Sequence, residues 1–255
     1  MEYGKRFVAL GDSFTEGVGD DDPSRPNGAR GWADRVAEQL CAADPGWGYA
    51  NLAIRGKKIR QVVDEQLPAA LELKPTLASL YAGGNDILRP SVDIDELMEG
   101  YAGAVAALRA SGAEVLLFTG FDSAGSAVFG KTRGRTAIYN EWVREIAERH
   151  GAVIADYWRW REFQDWRYWA RDRLHMGTPG HTLMAKKVLE VLRASDAIRT
   201  PELEAAPALG RLAKLKADAA WGREHVLPWV KRRLTGTSSG DALTAKYPGY
   251  VRLAP

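Results

Sequence analysis

The chain of 255 residues is 45% hydrophobic and 27% charged, a globular balance with no apolar run near the ~18 residues that a membrane helix needs. Its 35 Lys and Arg against 33 Asp and Glu leave a net charge of +2 with the signs interleaved, which excludes the clustered basic footprint of a nucleic-acid binder. The lone Cys41 can form no internal disulfide and reads as a structural thiol on a helix face. The residues ahead of the first strand leave no room for an apolar export signal, so the expectation is a cytoplasmic protein without a membrane span.

Short runs rich in Val, Ile and Leu alternate with segments of helical period, the signature of βαβ units around a parallel sheet. In chain order the pattern predicts strands at 7–10, 49–54, 76–81, 115–119 and 152–155, with helices near 31–43, 59–73, 93–111, 134–150 and 179–194. Gly112 and Gly151 sit where helices end with positive φ, and Thr178-Pro179 reads as an N-cap followed by a first-turn proline. Ile138, Trp142 and Ile146 recur at i, i+4 and i+8, so that face is expected to pack on the sheet. Phe163, Trp166 and Trp169 recur at three-residue steps and read as a core-packing helix face, with a pocket wall as the alternative. Beyond Ala194 the pattern changes: Pro201 and Pro207 interrupt it, a Lys- and Arg-rich helical stretch spans about 209–234, and a Gly- and Ser-rich tail follows. Residues 1–195 are expected to form the main domain and 196–255 a C-terminal helical extension and tail. Lys186-Lys187 and Lys231-Arg232-Arg233 read as solvated faces.

The chemistry gathers where strands end. The first strand closes at Gly11-Asp12-Ser13, where glycine permits a tight turn and a serine hydroxyl is presented beside backbone N–H groups. The base for such an alcohol is His175, in Asp172-Arg173-Leu174-His175 just before the last helix of the main domain. Positions i and i+3 meet in a tight turn, so Asp172 can fix the imidazole tautomer. His150 reads as a cation at a helix C-terminus, His181 lies in a first helical turn and His225 belongs to the extension. Gly56, in Asn51-Leu52-Ala53-Ile54-Arg55-Gly56, and Asn85, in Gly83-Gly84-Asn85-Asp86, are candidate oxyanion donors alongside the Ser13 N–H. For Asn85 a turn-capping role stays open.

Gly11-Asp12-Ser13, Asn51-Leu52-Ala53 with Gly56, Gly83-x-Asn85-Asp86 and Asp172-x-x-His175 resemble, in order, the four blocks of the SGNH (GDSL-type) hydrolases. The resemblance spans about residues 6–194. It implies a three-layer α/β/α sandwich around a flavodoxin-like, five-stranded parallel sheet. It also implies hydrolysis of small-molecule carboxylic esters or thioesters, sometimes acetyl groups on sugars, through an acyl-enzyme and without metal or cofactor. Ser13 is then the nucleophile, Asp172 and His175 complete a triad, and Ser13, Gly56 and Asn85 form the oxyanion hole. Phe14 stands where the family usually has Leu, and Met176 where Pro often follows the histidine; both bear on pocket shape.

Two other patterns compete. Gly125-Ser126-Ala127-Val128-Phe129-Gly130-Lys131-Thr132 fits the phosphate-binding P-loop, with Asp156 after a strand as a magnesium-binding partner. The fourth strand, however, is expected to end well before Gly125. Gly236-Thr237-Ser238-Ser239-Gly240 fits the nucleophile elbow of α/β-hydrolases, but no histidine lies downstream of it, and it reads as a mobile tail. A relative that kept the fold but transfers acyl groups or binds carbohydrate without hydrolysis is the remaining alternative.

Overall fold

A computed structural model of the chain describes residues 3–126, 129–205, 210, 216, 218–226, 228 and 237–254. Lys231-Arg232-Arg233, Ala127-Val128 and much of the helical stretch expected at 209–234 lie outside the described residues.

Alternation along the strands explains the layers. In β1 (Lys5–Gly11) Phe7 and Ala9 face one side of the sheet, while Val8 and Leu10 face the other. All four are buried, as expected of a strand covered on both faces. Phe7 and Ala9 join a core with Trp32, Val36 and Leu40 of α2 (Gly31–Ala43) and Met184 and Val188 of α8 (Thr178–Val191). Val8 and Leu10 join Met98 and Tyr101 of α6 (Ile94–Ala110) and Tyr139 and Val143 of α7 (Arg133–His150). The other strands are β2 (Trp47–Asn51), β3 (Leu77–Tyr81), β4 (Glu114–Phe118) and β5 (Val153–Ala155). Short helices follow β1, β2 and β3: α1 (Ser13–Glu16), then α3 (Ile59–Gln61) running through a π turn (Val62–Gln66) into α4 (Leu67–Glu72), then α5 (Gly84–Ile87).

The parallel strands take the order β5-β4-β3-β1-β2, the flavodoxin-like arrangement, in which ligands bind where the order reverses between β1 and β3. One strand more is present than the five expected. β6 (Tyr247–Val251) lies antiparallel on the outer edge of β2, pairing Tyr49 with Val251 and Asn51 with Tyr247. The pairing is irregular across Pro248-Gly249, a dipeptide that reads locally as a turn and is tolerated only on an edge strand. No helix among the described residues is long and apolar enough to cross a membrane.

Of the inner face expected for α7, Ile146 is buried and Trp142 packs partly buried against the core, but Ile138 is not part of it. Ile138 is 51% exposed, and the face against the sheet is Tyr139, Val143, Ile146 and Ala147. The aromatic stretch forms three separate 3-10 turns, Tyr157–Arg159, Arg161–Gln164 and Trp166–Tyr168, broken at Trp160 and Asp165 by non-helical backbone, so Phe163, Trp166 and Trp169 do not share the expected helix face.

Candidate active site

The turn after β1 depends on Gly11. Its φ is +151° and a Cβ there would stand 2.3 Å from the Tyr81 carbonyl oxygen. The π turn carries Gln66 onto this glycine, where its amide accepts from the Gly11 N–H and donates to the Gly11 C=O, each at 2.9 Å. Asp12 then caps α1, its Oδ1 accepting from the Phe14 N–H at 3.1 Å, and Ser13 opens the helix. Burial pushes the Asp12 carboxyl up to about 7, against the Phe14 N–H bond and the nearby His175, which favour its charge.

The loop after β2 is tied to α1. Glu16 is wholly buried and takes the Arg55 guanidinium (Nη2 to Oε1, 2.7 Å) and the Arg55 N–H (2.6 Å) on its two carboxylate oxygens. The Asn51 side chain donates to the Thr15 carbonyl at 3.1 Å and accepts from the Ala53 N–H at 3.1 Å. Gly56 follows with φ +81°. Among the described residues neither the Ser13 nor the Gly56 N–H has a backbone acceptor.

Asn85, in α5 after β3, donates through Nδ2 to the Lys57 carbonyl at 3.0 Å and to Asp12 Oδ2 at 3.2 Å. It therefore touches the turn carrying Ser13 as well as the loop carrying Gly56. The neighbouring Asp86 accepts from the Ile59 N–H at 3.0 Å and anchors the start of α3.

The fourth loop closes on itself. Asp172 Oδ1 accepts from the N–H groups of Leu174 and His175, both at 3.0 Å, and Oδ2 lies 2.6 Å from His175 Nδ1. Burial opposes the Asp172 charge, yet the bond and charge of His175 and the two backbone donors outweigh it and hold the carboxyl down at about 2. Arg173 takes φ +54° between them, strained for a residue with a Cβ, and places its guanidinium on Asp218 (2.7 Å) and over the Trp221 ring (4.9 Å).

Ser13, Asn85 and His175 line one cleft of about 180 Å³; Gly56 and Asp172 are not part of its wall. The cleft is largely apolar. Phe14 forms one side, its ring packed on Tyr81, Trp32, Phe118 and Tyr157, and Phe121 with Trp169 forms another. The aromatic stretch divides accordingly: Phe163 is core, whereas Trp166 and Trp169 border the cleft.

His181 also reaches the cleft, which its sequence context did not suggest. It is 1% exposed, its Nδ1 accepts from the Trp32 N–H and its Nε2 donates to the Val18 carbonyl, both at 3.2 Å. Burial drives its pKa down to about 4, so it is a neutral bracket between α2 and the loop after α1.

The rival patterns meet other fates. Phe129–Thr132 is a 3-10 turn and α7 begins only at Arg133, so the Gly-Lys-Thr end of the P-loop pattern does not open a helix, as phosphate binding there requires. Ser126, Phe129 and Thr132 border the Ser13 cleft instead. Asp156 is engaged by Arg144 and Thr119, each at 3.0 Å. Ser238 is not in a free tail: its hydroxyl donates to the Arg55 carbonyl at 3.1 Å. Among the described residues no three His, Cys, Asp or Glu side chains group as metal ligands.

A profile of the GDSL-like lipase/acylhydrolase family matches residues 9–183. No curated protein matches the chain. Among solved structures, the chain is similar to Axe2, an acetylxylan esterase from Geobacillus stearothermophilus, at 22% identity and TM-score 0.64 over 79% of this chain and 100% of that one. It is also similar to TesA, at 21% identity and TM-score 0.59 over 74% of this chain and 98% of that one. The psychrotrophic esterase EstA from Pseudoalteromonas sp. aligns at 17% identity and TM-score 0.61 over 74% of this chain and 97% of its own.

Proposed function

The chain belongs to the GDSL-like lipase/acylhydrolase family and is a carboxylic ester hydrolase, and from that premise we propose that it works through a Ser13-His175-Asp172 triad and an acyl-enzyme. The observation that carries this reading is the 2.6 Å contact of His175 Nδ1 with an ionised Asp172, on a loop that brings His175 into the same cleft as Ser13. With Nδ1–H donated to the carboxylate, Nε2 holds the free lone pair of the ring. It takes the Ser13 proton as Oγ attacks the ester carbonyl, then returns it to the leaving alcohol. Water, activated by the same nitrogen, adds to the acyl-enzyme and releases the acid and a free Ser13.

The oxyanion falls to the N–H groups of Ser13 and Gly56 and to Asn85. Both Asn85 amide hydrogens are engaged in the resting site, so one must turn or be shared as charge develops; the longer bond, to Asp12 at 3.2 Å, is the one that yields. A protonated Asp12, which its raised pKa favours, accepts more weakly and releases that hydrogen more readily. The apolar walls favour an uncharged, apolar group on the substrate.

A fluorophosphonate probe and a p-nitrophenyl ester test the reading together. The wild type gains one phosphonyl adduct by mass and hydrolyses the ester, while Ser13→Ala takes no label and loses about 10³-fold or more in kcat. Labelling that persists in Ser13→Ala, or ester turnover unaffected by it, rejects the mechanism.

A further inference from the structure

The turn at Thr237–Asp241 lies outside the matched residues 9–183 and yet touches the loop after β2 at Arg55, next to the residue given an oxyanion role. The Arg55 C=O and the Gly56 N–H belong to one planar trans peptide and point in opposite directions. Whatever holds that carbonyl therefore aims that N–H. The peptide needs holding, because glycine at φ +81° offers little torsional resistance on its own side.

Two contacts converge on it. Ser238 Oγ donates to the Arg55 carbonyl at 3.1 Å. That hydroxyl is itself fixed: it accepts from the Gly240 N–H at 3.1 Å, and the Ser238 N–H is held by Asp241 Oδ2 at 2.7 Å. Gly240 presses on the same carbonyl so closely that a Cβ would stand 2.2 Å from the Arg55 oxygen, while a Cβ on Gly56 would stand 1.9 Å from Ser238 Oγ. Gly240 is thus required by the approach of two backbones, and Gly56 by its positive φ and by the Ser238 side chain packed on it. One peptide earlier, Glu16 holds the Arg55 N–H, and it holds the Arg55 guanidinium as well. A hydrogen bond accepted by the Arg55 carbonyl also polarises the Gly56 N–H on the far end of the peptide and makes it a better donor.

We propose that Ser238 is a positioning residue for ester hydrolysis, holding the Arg55–Gly56 peptide so that the Gly56 N–H stays directed at the developing oxyanion. The inference rests on the oxyanion role of Gly56. Ser238 and Gly240, from the run that matches Gly-x-Ser-x-Gly, then serve not as a nucleophile elbow but as a clamp, contributed by the C-terminal extension, on a catalytic loop of the main domain.

The test measures Ser238→Ala beside an amide-to-ester exchange at Gly56, which deletes that one N–H by incorporating glycolic acid. Removing an oxyanion donor costs about 10²- to 10³-fold in kcat, so the exchange is expected to fall in that range and Ser238→Ala, which loosens the donor without deleting it, to lose about tenfold. In Ser238→Ala the KM stays within about twofold, and a boronic acid that mimics the tetrahedral intermediate weakens by the same factor as kcat. Full activity in Ser238→Ala with a damaged ester-exchanged enzyme rejects the clamp and leaves Gly56 standing. An ester-exchanged enzyme with undiminished kcat removes Gly56 from the mechanism and the clamp with it. A Ser238→Ala loss that appears in KM and melting temperature, with boronate affinity unchanged, reduces Ser238 to a structural contact.

Discussion

At the scale of single residues, His181 shows how a buried group records its environment in pH. Neutral in the fold, it accepts from Trp32 and donates to Val18, and burial lowers its pKa from 6.5 to about 4. Between those values the unfolded chain binds a proton that the folded chain refuses. The His181 contribution to stability is therefore complete above about pH 6.5 and drains away as pH falls toward 4, at about 1.4 kcal/mol per unit of pKa difference. Asp12 acts with the opposite sign: its pKa rises from 3.8 to about 7, so its contribution declines as pH rises through that window. A difference measurement isolates the histidine. The stability advantage of wild type over His181→Gln, from urea melts, is expected to shrink steadily from pH 6.5 to pH 4, and a constant difference would show that His181 does not stay neutral. This residue was not legible in advance, because its first-turn position carries no sign of Trp32, which lies 149 positions away. The Asp172–His175 contact was legible because an i, i+3 contact in a turn is local, whereas Gly11-Asp12-Ser13 by itself reads as an ordinary turn and singles out Ser13 only together with the later blocks. Ser238 read as part of a tail because no downstream histidine supported the elbow pattern, and its partner, Arg55, is 183 positions away.

Among the elements, β6 shows what local patterning leaves out. The parallel strands announce themselves as apolar runs because both faces are covered; β6 is an edge strand interrupted by Pro248-Gly249 and has no such period. What places it is a buried polar network. Lys246, with its side chain wholly inaccessible, donates to Asp34 Oδ2 (2.9 Å), to the Glu16 carbonyl (3.0 Å) and to the Arg30 carbonyl (2.8 Å), and Asp34 accepts in addition from the Tyr49 hydroxyl at 2.9 Å. The last strand is thereby fastened to α2 and to the C-terminal end of α1. Burial lifts the Asp34 carboxyl to about 6 even with the ammonium beside it. Removing one partner of such a pair strands the other, so Lys246→Met is expected to cost about 3–5 kcal/mol. The double variant Lys246→Met with Asp34→Asn, which leaves no uncompensated charge, should recover a large part of that loss in chemical denaturation. If the two substitutions add without coupling, the ammonium and carboxylate do not interact as drawn.

For the molecule as a whole, the question is whether residues 1–195 stand without the extension. The sheet itself argues against it. Without residues 196–255 the edge of β2 is unpaired along Tyr49–Asn51, Asp34 loses the Lys246 ammonium, and Tyr247 and Leu253, buried to 9% and 8% exposure, leave the core shared with α2. Two large apolar side chains account for roughly 1.5–3 kcal/mol each, and the orphaned carboxylate for about 3–5 kcal/mol more. Together these approach or exceed the 5–15 kcal/mol by which a typical domain is stable at all. The loss outweighs anything the entropy of a shorter chain returns, and the bare β2 edge is in addition a template for intermolecular pairing. A chain ending at residue 195 is therefore expected to elute as soluble aggregate in size-exclusion chromatography, with no cooperative thermal transition and no esterase activity. A monomer that melts cooperatively near the temperature of the full chain would show that the first five strands carry the fold alone, with β6 an ornament on their edge.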